Sequence, residues 1–230
     1  MRVLAFDVYG TLVDVHGIKE TVAPFLGAQS SAFIARWREK TVEYAFRRGL
    51  MQHYVDFGEC GRQALDFVDT EMRARLTPKQ KNTLLESQQQ LPAFPDAAHA
   101  LAQLQENRQL LVAFSNGTTK AVNQILSAAQ LASYFSQIVS VDELRTFKPS
   151  PAVYAYLTRS VATDAKSIWL ISSNAWDVIG AKSAGLHAVW VRRNSEQLFD
   201  PWGIEPDVIV KDLTECARFF AESDGHASRA

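Results

Sequence analysis

Cysteine is scarce in this sequence, which holds two in 230 residues, Cys60 and Cys216. They lie far apart in segments of different character, so we expect no disulfide framework and interpret both as reduced, inert thiols. An excess of charge of one sign is missing as well, because 24 lysine and arginine residues balance 25 aspartate and glutamate residues, for a formal net charge of −1. This balance argues against a nucleic-acid partner and against a polybasic membrane surface.

Long apolar runs are also absent. The run from Val3 to Phe6 is too short for a signal peptide and is interrupted by Asp7, and no stretch approaches the ~18 apolar residues of a membrane span. We therefore expect a cytoplasmic protein with no membrane partner. The hydrophobic fraction of 47% and the charged fraction of 21% are ordinary for a folded protein with a sizeable core.

What the sequence does contain is a series of short β-rich runs, at residues 3–8, 110–116, 137–141, 167–173, 187–193 and 207–210. Continuous apolar runs of this length are typical of strands buried on both faces of a sheet. Helical patterns separate most of them: one begins near Thr118 or Thr119, one follows a candidate N-cap at Ser150, and one ends at Gly185. The alternation predicts an α/β fold with a doubly wound parallel sheet.

One connection is much longer than the others, with roughly a hundred residues between the first two predicted strands, where ordinary crossovers need a few tens. Residues 30–51, 55–76 and 78–90 have helical patterns, and LPAFPDA at 91–97 returns the chain to the sheet. We therefore predict an α/β core domain of residues 1–13 and 94–222, an inserted helical cap domain of residues 14–93, and a flexible tail of residues 223–230.

Polar residues follow four of the predicted strands, at the sheet edge where open α/β folds bind ligands. In chain order they are Asp7, Tyr9 and Thr11; Ser115, Asn116 and Gly117; Lys148; and Ser172, Ser173, Asn174 and Asp177. Taken singly, each has a structural explanation: Asp177 suits the first turn of a helix, and Lys148 suits a solvated surface. Their convergence on one edge favours an active site.

Four segments resemble, in order, the four motifs of the haloacid dehalogenase superfamily: DVYGT from Asp7, SNG from Ser115, FKPSPAVY from Phe147 and SSNAWDVIGAKSAG from Ser172. The segment WREKTVEY, from Trp37, further resembles the cap of the L-2-haloacid dehalogenase branch. The match extends from residue 1 to about residue 195. It implies a Rossmann-like core, a helical cap and a nucleophilic aspartate at Asp7.

The sequence departs from the phosphatases of this superfamily at two places. They carry a second aspartate two residues after the nucleophile, which protonates the leaving oxygen, and an acidic fourth motif that helps to hold Mg²⁺. Here Tyr9 occupies the first position, and Ser172 and Ser173 occupy the second. Asp7 and Asp177 alone make a poor magnesium site, so we predict neither a metal nor a cofactor. A halide leaving group accounts for the absence of both the proton-donating aspartate and the metal site, because it departs as a stable anion.

The resemblance then implies hydrolysis of short L-2-haloalkanoates to D-2-hydroxy acids, with inversion, through an ester on Asp7. Two carboxylates about 4 Å apart at an effective dielectric of ~20 repel by on the order of 4 kcal/mol. Cations must therefore lie close to the nucleophile, and the predicted ones are Lys148 and Arg38. The resemblance also gives Thr11, Ser115 and Lys148 the role of holding the Asp7 carboxylate.

The other predicted site residues follow from the same resemblance. Ser115, with amides near Gly10 and Asn116, would bind the substrate carboxylate, and the halide would be received by Arg38, Asn116 and Trp176. Asn174 and Asp177 would position and deprotonate the hydrolytic water, Tyr154 would reach toward Lys148, and Ser172 would complete the polar floor. Tyr9, Phe57 and Trp176 would form an apolar wall that fits only a short alkyl chain.

Alternatives remain open. Arg38 lies among Glu39, Lys40 and Glu43 and could form surface pairs, Phe57 and Trp176 could be plain core, and Tyr154 could only pack against the sheet. We expect glutamine after the cap arginine in relatives, and Glu39 in that place leaves the substrate range open. The rival functions are a superfamily phosphatase using Mg²⁺ and an inactive binding module. By analogy with relatives, we expect a homodimer that acts on a small molecule and water.

Overall fold

Six parallel strands form one sheet in the computed structural model, which describes residues 2–227 of the chain. They are β1 (Val3–Phe6), β2 (Leu110–Ser115), β3 (Gln137–Ser140), β4 (Ile168–Ser172), β5 (His187–Val191) and β6 (Val208–Val210). Their order across the sheet is β3-β2-β1-β4-β5-β6. All six predicted strands are confirmed. The winding reverses between β1 and β4, where ligands of such sheets bind, and Asp7 follows β1 at this point.

Helices cover both faces of the sheet because the side chains of a strand alternate between its two faces. The nine α-helices within the described residues are α1 (Lys19–Leu26), α2 (Ser30–Leu50), α3 (Phe57–Glu71), α4 (Pro78–Ser87), α5 (Ala97–Glu106), α6 (Thr119–Ala128), α7 (Pro151–Ser160), α8 (Ala175–Ser183) and α9 (Leu213–Ala227). Leu4 and Phe6 of β1 belong to the apolar layer with α5, α6 and α9. Val3 and Ala5 belong to the opposite layer, with α7 and α8.

The helices α1 to α4 form the predicted insertion between β1 and α5. Its two ends run side by side: the amide of Asp14 donates to the carbonyl of Pro92 at 2.8 Å, and that of Phe94 donates to the carbonyl of Leu12 at 3.0 Å. Within the insertion, α2 buries Phe33, Ile34 and Trp37 in the same apolar cluster as Ala64, Leu65 and Val68 of α3. The division into a core and a cap at 13/14 and 93/94 falls at this paired junction and stays a prediction.

Two of the three predicted signals for helix ends are present in the structure. The hydroxyl of Thr118 caps α6 by accepting from the amide of Ala121 at 3.2 Å, and Gly185, with φ of +83°, follows the end of α8. Ser150 precedes α7 but makes no capping hydrogen bond with its side chain, so Pro151 marks this helix start. The predicted tail from residue 223 overlaps α9, which runs to Ala227, and residues 228–230 lie outside the described residues; its flexibility stays a prediction.

Both cysteine side chains are buried and neither forms a disulfide. Burial raises the pKa of Cys60 to about 11 and raises that of Cys216 further, so both thiols stay protonated at neutral pH. This agrees with the interpretation of inert thiols. Among residues 2–227, no helix combines the length and apolar character that crossing a membrane requires.

Candidate active site

Asp7 follows β1 directly, and both of its carboxylate oxygens accept hydrogen bonds. Oδ2 accepts from Asn174 Nδ2 at 2.8 Å and from Thr11 Oγ1 at 3.0 Å, while Oδ1 accepts from Lys148 Nζ at 3.2 Å. The hydroxyl of Ser172 lies 3.5 Å from Oδ2. Asp7 is buried. Donors from the predicted set, supplied after β1, β3 and β4, therefore fix one carboxylate in place.

Lys148 is fully buried, and its ammonium group lies between two carboxylates. Nζ donates to Asp177 Oδ2 at 2.8 Å, to Asp7 Oδ1 at 3.2 Å and to the carbonyl of Phe114 at 2.8 Å. An ammonium group has three donors, and all three are used. The contact predicted between Lys148 and Asp177 is present, and the alternative of a solvated surface lysine is wrong.

Asp177 lies in the first turn of α8 and is fully buried. Burial raises the pKa of its carboxyl group, while Lys148 and the hydrogen bond from Tyr154 act in the opposite direction. The Tyr154 hydroxyl donates to Asp177 Oδ1 at 2.8 Å, and burial raises the pKa of Tyr154 well above its usual value. Tyr154 therefore keeps its proton. It was predicted to reach toward Lys148, and it instead binds the carboxylate that Lys148 also binds.

The segment after β2 carries Ser115 and Asn116, whose side chains both accept hydrogen bonds from backbone amides. The hydroxyl of Ser115 accepts from the amide of Gly117 at 3.2 Å, in the turn that leads to α6. The Oδ2 atom of Asp7 accepts from Asn174, and the role of Ser115 in holding this carboxylate stays a prediction. The Asn116 side chain accepts from the amide of Lys148 at 2.9 Å and so fixes the loop that carries the lysine.

Arg38 extends from α2 of the insertion toward the loop after β1. Its Nη2 donates to the carbonyl of Tyr9 at 3.4 Å, and its guanidinium carbon lies 5.9 Å from the centroid of the Phe57 ring. Burial lowers its pKa, but an arginine remains charged in a protein. Glu39 points elsewhere, because it pairs with Arg36 at 3.3 Å and its side chain is 68% exposed. Within the described residues, Glu39 therefore forms a surface ion pair, and Arg38 does not.

The three aromatic residues of the predicted apolar wall are divided between two groups. The rings of Tyr9 and Phe57 lie 5.6 Å apart, whereas the half-buried Trp176 packs edge-on against Phe46 at 5.2 Å. Burial raises the pKa of Tyr9 to about 12, so its phenol is neutral and a poor substitute for a catalytic acid. Tyr9 and Phe57 also line a cavity of about 580 Å³ between the insertion and α6, and Trp176 does not.

Glycine is required at Gly10, where φ is +85°, a value that side chains disfavour. The carbonyl of Gly10 accepts from the hydroxyl of Ser173 at 2.7 Å, and the amide of Ser173 donates to Thr11 Oγ1 at 2.9 Å. These bonds join the turn after β1 to the turn after β4. Ser173 was named among the polar strand ends but not as a site residue.

Arg193 is a residue that the sequence argument missed. Its guanidinium donates to the carbonyl of Thr11 through Nη2 at 2.6 Å and to the carboxylate of Asp96 through Nη1 at 3.1 Å, and it lies 3.6 Å from the centroid of the Phe94 ring. It therefore connects the turn that carries Thr11 to the point where the chain returns from the insertion. Its position at the carboxyl end of the fifth strand could have indicated a site residue, but the predicted strand of residues 187–193 includes it.

A magnesium ion does not fit the donors gathered here. The only carboxylates bound to Lys148 within the described residues are Asp7 and Asp177, and the ammonium group already lies between them. Ser172 and Ser173 provide neutral hydroxyls where a carboxylate would be needed, and magnesium favours carboxylate and other oxygen ligands in an octahedral arrangement. No cluster of three or more acidic, histidine or cysteine side chains suited to a metal occurs within residues 2–227.

Comparison with known proteins gives one family. The model for haloacid dehalogenase-like hydrolases matches residues 1–185. The (S)-2-haloacid dehalogenase of Pseudomonas sp. (strain YL) is 30% identical over 98% of this chain and 97% of that protein, and haloacetate dehalogenase H-2 of Moraxella sp. (strain B) is 32% identical over 91% and 93%. A solved L-2-haloacid dehalogenase from Xanthobacter autotrophicus, with chloropropionic acid covalently bound, superposes with a TM-score of 0.90 at 26% identity, over 96% of this chain and 98% of that chain. The chain belongs to the haloacid dehalogenase-like hydrolases.

Proposed function

We propose that this protein is an (S)-2-haloacid dehalogenase, which hydrolyses L-2-haloalkanoates to D-2-hydroxy acids with inversion at C2. One observation carries the proposal: the buried Asp7 carboxylate is held by Asn174, Thr11 and Lys148. A nucleophile held in this way, beside neutral Tyr9 and without a magnesium-binding donor set, suits a leaving group that needs neither a proton nor a Lewis acid. Two of the proteins named above, those from Pseudomonas sp. (strain YL) and Xanthobacter autotrophicus, are named 2-haloacid dehalogenases.

In the first step, a lone pair of an Asp7 oxygen forms a bond to C2 on the side opposite the halogen. The carbon–halogen bond breaks, the halide leaves with the bonding pair, and C2 inverts. The product is an ester between Asp7 and the acid. A covalently bound chloropropionic acid in the relative from Xanthobacter autotrophicus supports such an intermediate.

Two cations reduce the repulsion between the nucleophile and its anionic substrate. Left uncompensated, two carboxylates about 4 Å apart at an effective dielectric of ~20 would repel by on the order of 4 kcal/mol, or roughly three decades of rate. Lys148 touches the nucleophile directly. Arg38, whose Nη2 donates to the carbonyl of Tyr9, is the second cation and receives the halide together with Asn116.

In the second step, a water attacks the ester carbonyl of Asp7. Its oxygen stays on the regenerated carboxylate, and the bond between the Asp7 carbonyl carbon and the alkoxide oxygen breaks. The leaving alkoxide takes one proton of the water to become the D-2-hydroxy acid, and a base takes the other. Asn174, which already donates to Asp7, positions the ester, and Asp177 accepts the proton through the polar contacts around Lys148. The raised pKa of Asp177 makes it a better base than an ordinary aspartate.

The first test measures halide release from each enantiomer of 2-chloropropionate, with EDTA present. We expect the L enantiomer to release chloride at an unchanged rate when EDTA is added, and the D enantiomer to be inert. A requirement for added Mg²⁺, together with phosphate release from a chromogenic phosphate ester, would replace this proposal with the phosphatase. Neither activity in a folded protein would favour the inactive binding module.

The second test is a single turnover in ¹⁸O-water, with enzyme in excess over substrate. Hydrolysis of an Asp7 ester puts the label into the Asp7 carboxylate, which is detected by mass spectrometry of the peptide that contains it. Label found only in the hydroxy acid would mean that water attacks C2 directly, and the ester mechanism would be abandoned.

Two expectations about the whole protein belong to the same proposal: a cytoplasmic location and a homodimer. Large apolar side chains are exposed on the insertion, with Leu50 at 87% and Met51 at 64% at the end of α2 and Phe67 at 39% on α3. Exposed apolar surface of this kind is typical of an interface. Light scattering of the purified protein tests the dimer, and a monomer at micromolar concentration would refute it.

A further inference from the structure

The cavity between the insertion and the core is larger than a short haloacid needs. Its volume is about 580 Å³, within the range of roughly 300–1,000 Å³ that is typical of sites for drug-sized ligands. A 2-chloropropionate ion has only six non-hydrogen atoms. Most of the cavity would stay empty beside this ion, although the sequence predicts a wall that fits only a short alkyl chain.

The cavity has an apolar and fixed wall on the insertion side, beside charged groups of Arg38, Asp56, Glu59 and Arg62 that also line it. Ile34 and Trp37 of α2 and Phe57 of α3 line it and are buried. Trp37 is held in place because its indole nitrogen donates to the carbonyl of Gly61 at 2.7 Å, and Phe57 contacts the ring of Tyr9. Since these side chains are positioned before any ligand binds, the cavity is a preformed chamber with one apolar wall.

The chamber also reaches the edge of the active site. Tyr9 and Arg38 line it, and the carbonyl of Tyr9 accepts from both Arg38 at 3.4 Å and Asn174 at 3.3 Å. Asn174 in turn donates to the carboxylate of Asp7 at 2.8 Å. Tyr9 therefore borders both the chamber and the groups that hold the nucleophile.

We propose that this chamber binds the apolar substituent on C2 of the substrate, and that the enzyme prefers L-2-haloacids with unbranched chains of four to six carbons on C2 over the methyl homologue. The inference rests on the proposed function. Of the groups on C2, the carboxylate and the halogen require polar or cationic partners, so the alkyl substituent is the group that suits a wall of Ile34, Trp37 and Phe57.

The size of the preference follows from burial of the chain. Each methylene that leaves water for an apolar wall contributes at most about fourfold to kcat/KM. Part of this is lost to ordering the chain, since each immobilised bond costs entropy. For the three methylenes that 2-bromohexanoate adds, we expect kcat/KM to rise by about tenfold over 2-bromopropanoate.

The experiment compares bromide release from the L enantiomers of 2-bromopropanoate, 2-bromobutanoate, 2-bromohexanoate and 2-bromooctanoate. In the wild type, kcat/KM should rise from the first to the third. Ala121→Trp fills the chamber from α6, where Ala121 lines it. It should lower the ratio of kcat/KM for 2-bromohexanoate to kcat/KM for 2-bromopropanoate by at least tenfold. Ala128→Trp, at the exposed end of the same helix, is the matched control and should keep the wild-type ratio.

The outcomes separate this inference from the function on which it rests. No halide from any member of the series would refute the dehalogenase itself. If 2-bromopropanoate releases bromide and kcat/KM falls as the chain lengthens, only the proposal that the chamber binds the C2 substituent is refuted. The wild-type series decides this even if Ala121→Trp does not fold. Equal losses on short and long substrates in Ala121→Trp would also overturn it.

Discussion

At the scale of single residues, the ammonium group of Lys148 is the feature that most distinguishes this site. It is fully buried and bound to two carboxylates and a carbonyl. A buried ion pair adds little net stability compared with apolar residues of the same size, yet removing one member leaves the others uncompensated. The charge of Lys148 here holds the side chains of Asp7 and Asp177 side by side.

Replacing Lys148 with methionine tests this balance. We expect halide release to fall by at least about a thousandfold, because the repulsion of roughly 4 kcal/mol is no longer offset. The free energy of unfolding should fall by about 3–5 kcal/mol near pH 8. Without the ammonium group the pKa of Asp177 rises further above its unfolded value, so the loss should be smallest near pH 4 and grow as the pH rises through the raised pKa.

Urea unfolding of both proteins at several pH values measures that loss. Lys182→Met is the matched control, because Lys182 pairs with Asp207 at 2.7 Å while both side chains remain about a quarter exposed. A surface pair of this kind contributes about 0–1 kcal/mol, with no comparable pH dependence. A Lys148→Met protein that is as stable as the wild type at pH 8 would contradict the account.

Tyr154 supplies a prediction about pH. Its hydrogen bond to Asp177 favours the ionised carboxylate and lowers the pKa of Asp177. Tyr154→Phe therefore raises that pKa, and Asp177 stays protonated to a higher pH. If Asp177 is the base of the second step, the acid limb of the pH profile of kcat should move to higher pH, with activity better preserved at pH 9 than at pH 6.

The control for this profile is Tyr156→Phe, which removes a comparable hydroxyl. Tyr156 donates to Glu143 at 2.7 Å in an exposed pair away from Asp177, so its loss should leave the acid limb in place. A profile for Tyr154→Phe that falls equally at every pH would mean that Tyr154 only packs, as the alternative interpretation of the sequence had it.

At the scale of elements, the contact between α7 and α8 keeps Tyr154 on Asp177. Gly180 of α8 faces this contact: a Cβ there would lie 2.8 Å from Pro149 Cβ and from Tyr154 Cε2, and closer still to the Tyr154 hydroxyl. Real Cβ atoms do not approach other atoms so closely. Glycine at 180 is therefore required by packing between helices and not by backbone conformation.

Gly180→Ala should force α7 and α8 apart. Overpacking costs about 1–3 kcal/mol, which exceeds the gain of up to about 1 kcal/mol from alanine in a helix. A net loss near 1 kcal/mol lowers Tm by about 2–4 °C in a chain of this size, and kcat should fall because Tyr154 is displaced. In Gly61→Ala of α3, where the nearest atoms would lie 3.9 Å away, Tm should rise. Calorimetry that ranks these two variants in the opposite order would refute the argument.

The elements that the sequence predicted best are those with a strong local signal. The six strands were predicted because continuous apolar runs such as the one from Leu110 are typical of buried parallel strands, and α2 and α6 because of their helical spacing. The helices α1, α5 and α9 were not predicted individually. The short α1 contains Pro24 and has no side-chain cap, so it lacks the usual start signal.

The features of the site that could not be predicted from the sequence depend on contacts between elements. The residues at strand ends, among them Asp7, Lys148 and Asn174, were predicted together because parallel strands place their carboxyl ends on one edge. The hydrogen bond that Ser115 accepts in its turn from Gly117 could not be predicted, since it depends on local backbone geometry. Trp176 and Arg193 depend on which residues of the insertion and its junction pack against them, and no local pattern encodes that.

At the scale of the whole molecule, a formal net charge of −1 conceals a local arrangement of cations. Three cations, Arg38, Arg62 and Lys120, line the cavity between the insertion and the core against two acids, Asp56 and Glu59, and Lys148 lies beside Asp7. An anionic substrate therefore approaches through a region richer in positive charge than the protein as a whole. Local charge of this kind raises the rate of encounter, and salt weakens it.

Lys120→Glu tests this approach path. Lys120 is exposed in the first turn of α6, and a unit charge about 10 Å from an anion in water contributes roughly 0.4 kcal/mol. Reversing its sign should therefore lower kcat/KM for 2-chloropropionate by about fourfold in dilute buffer, and the difference should nearly vanish in 1 M salt, where the Debye length is about 3 Å. Lys166→Glu makes the same charge change before β4, at the opposite edge of the sheet, and should change kcat/KM little. Equal effects in both variants would show that net charge, and not the cations at the cavity, governs entry of the substrate.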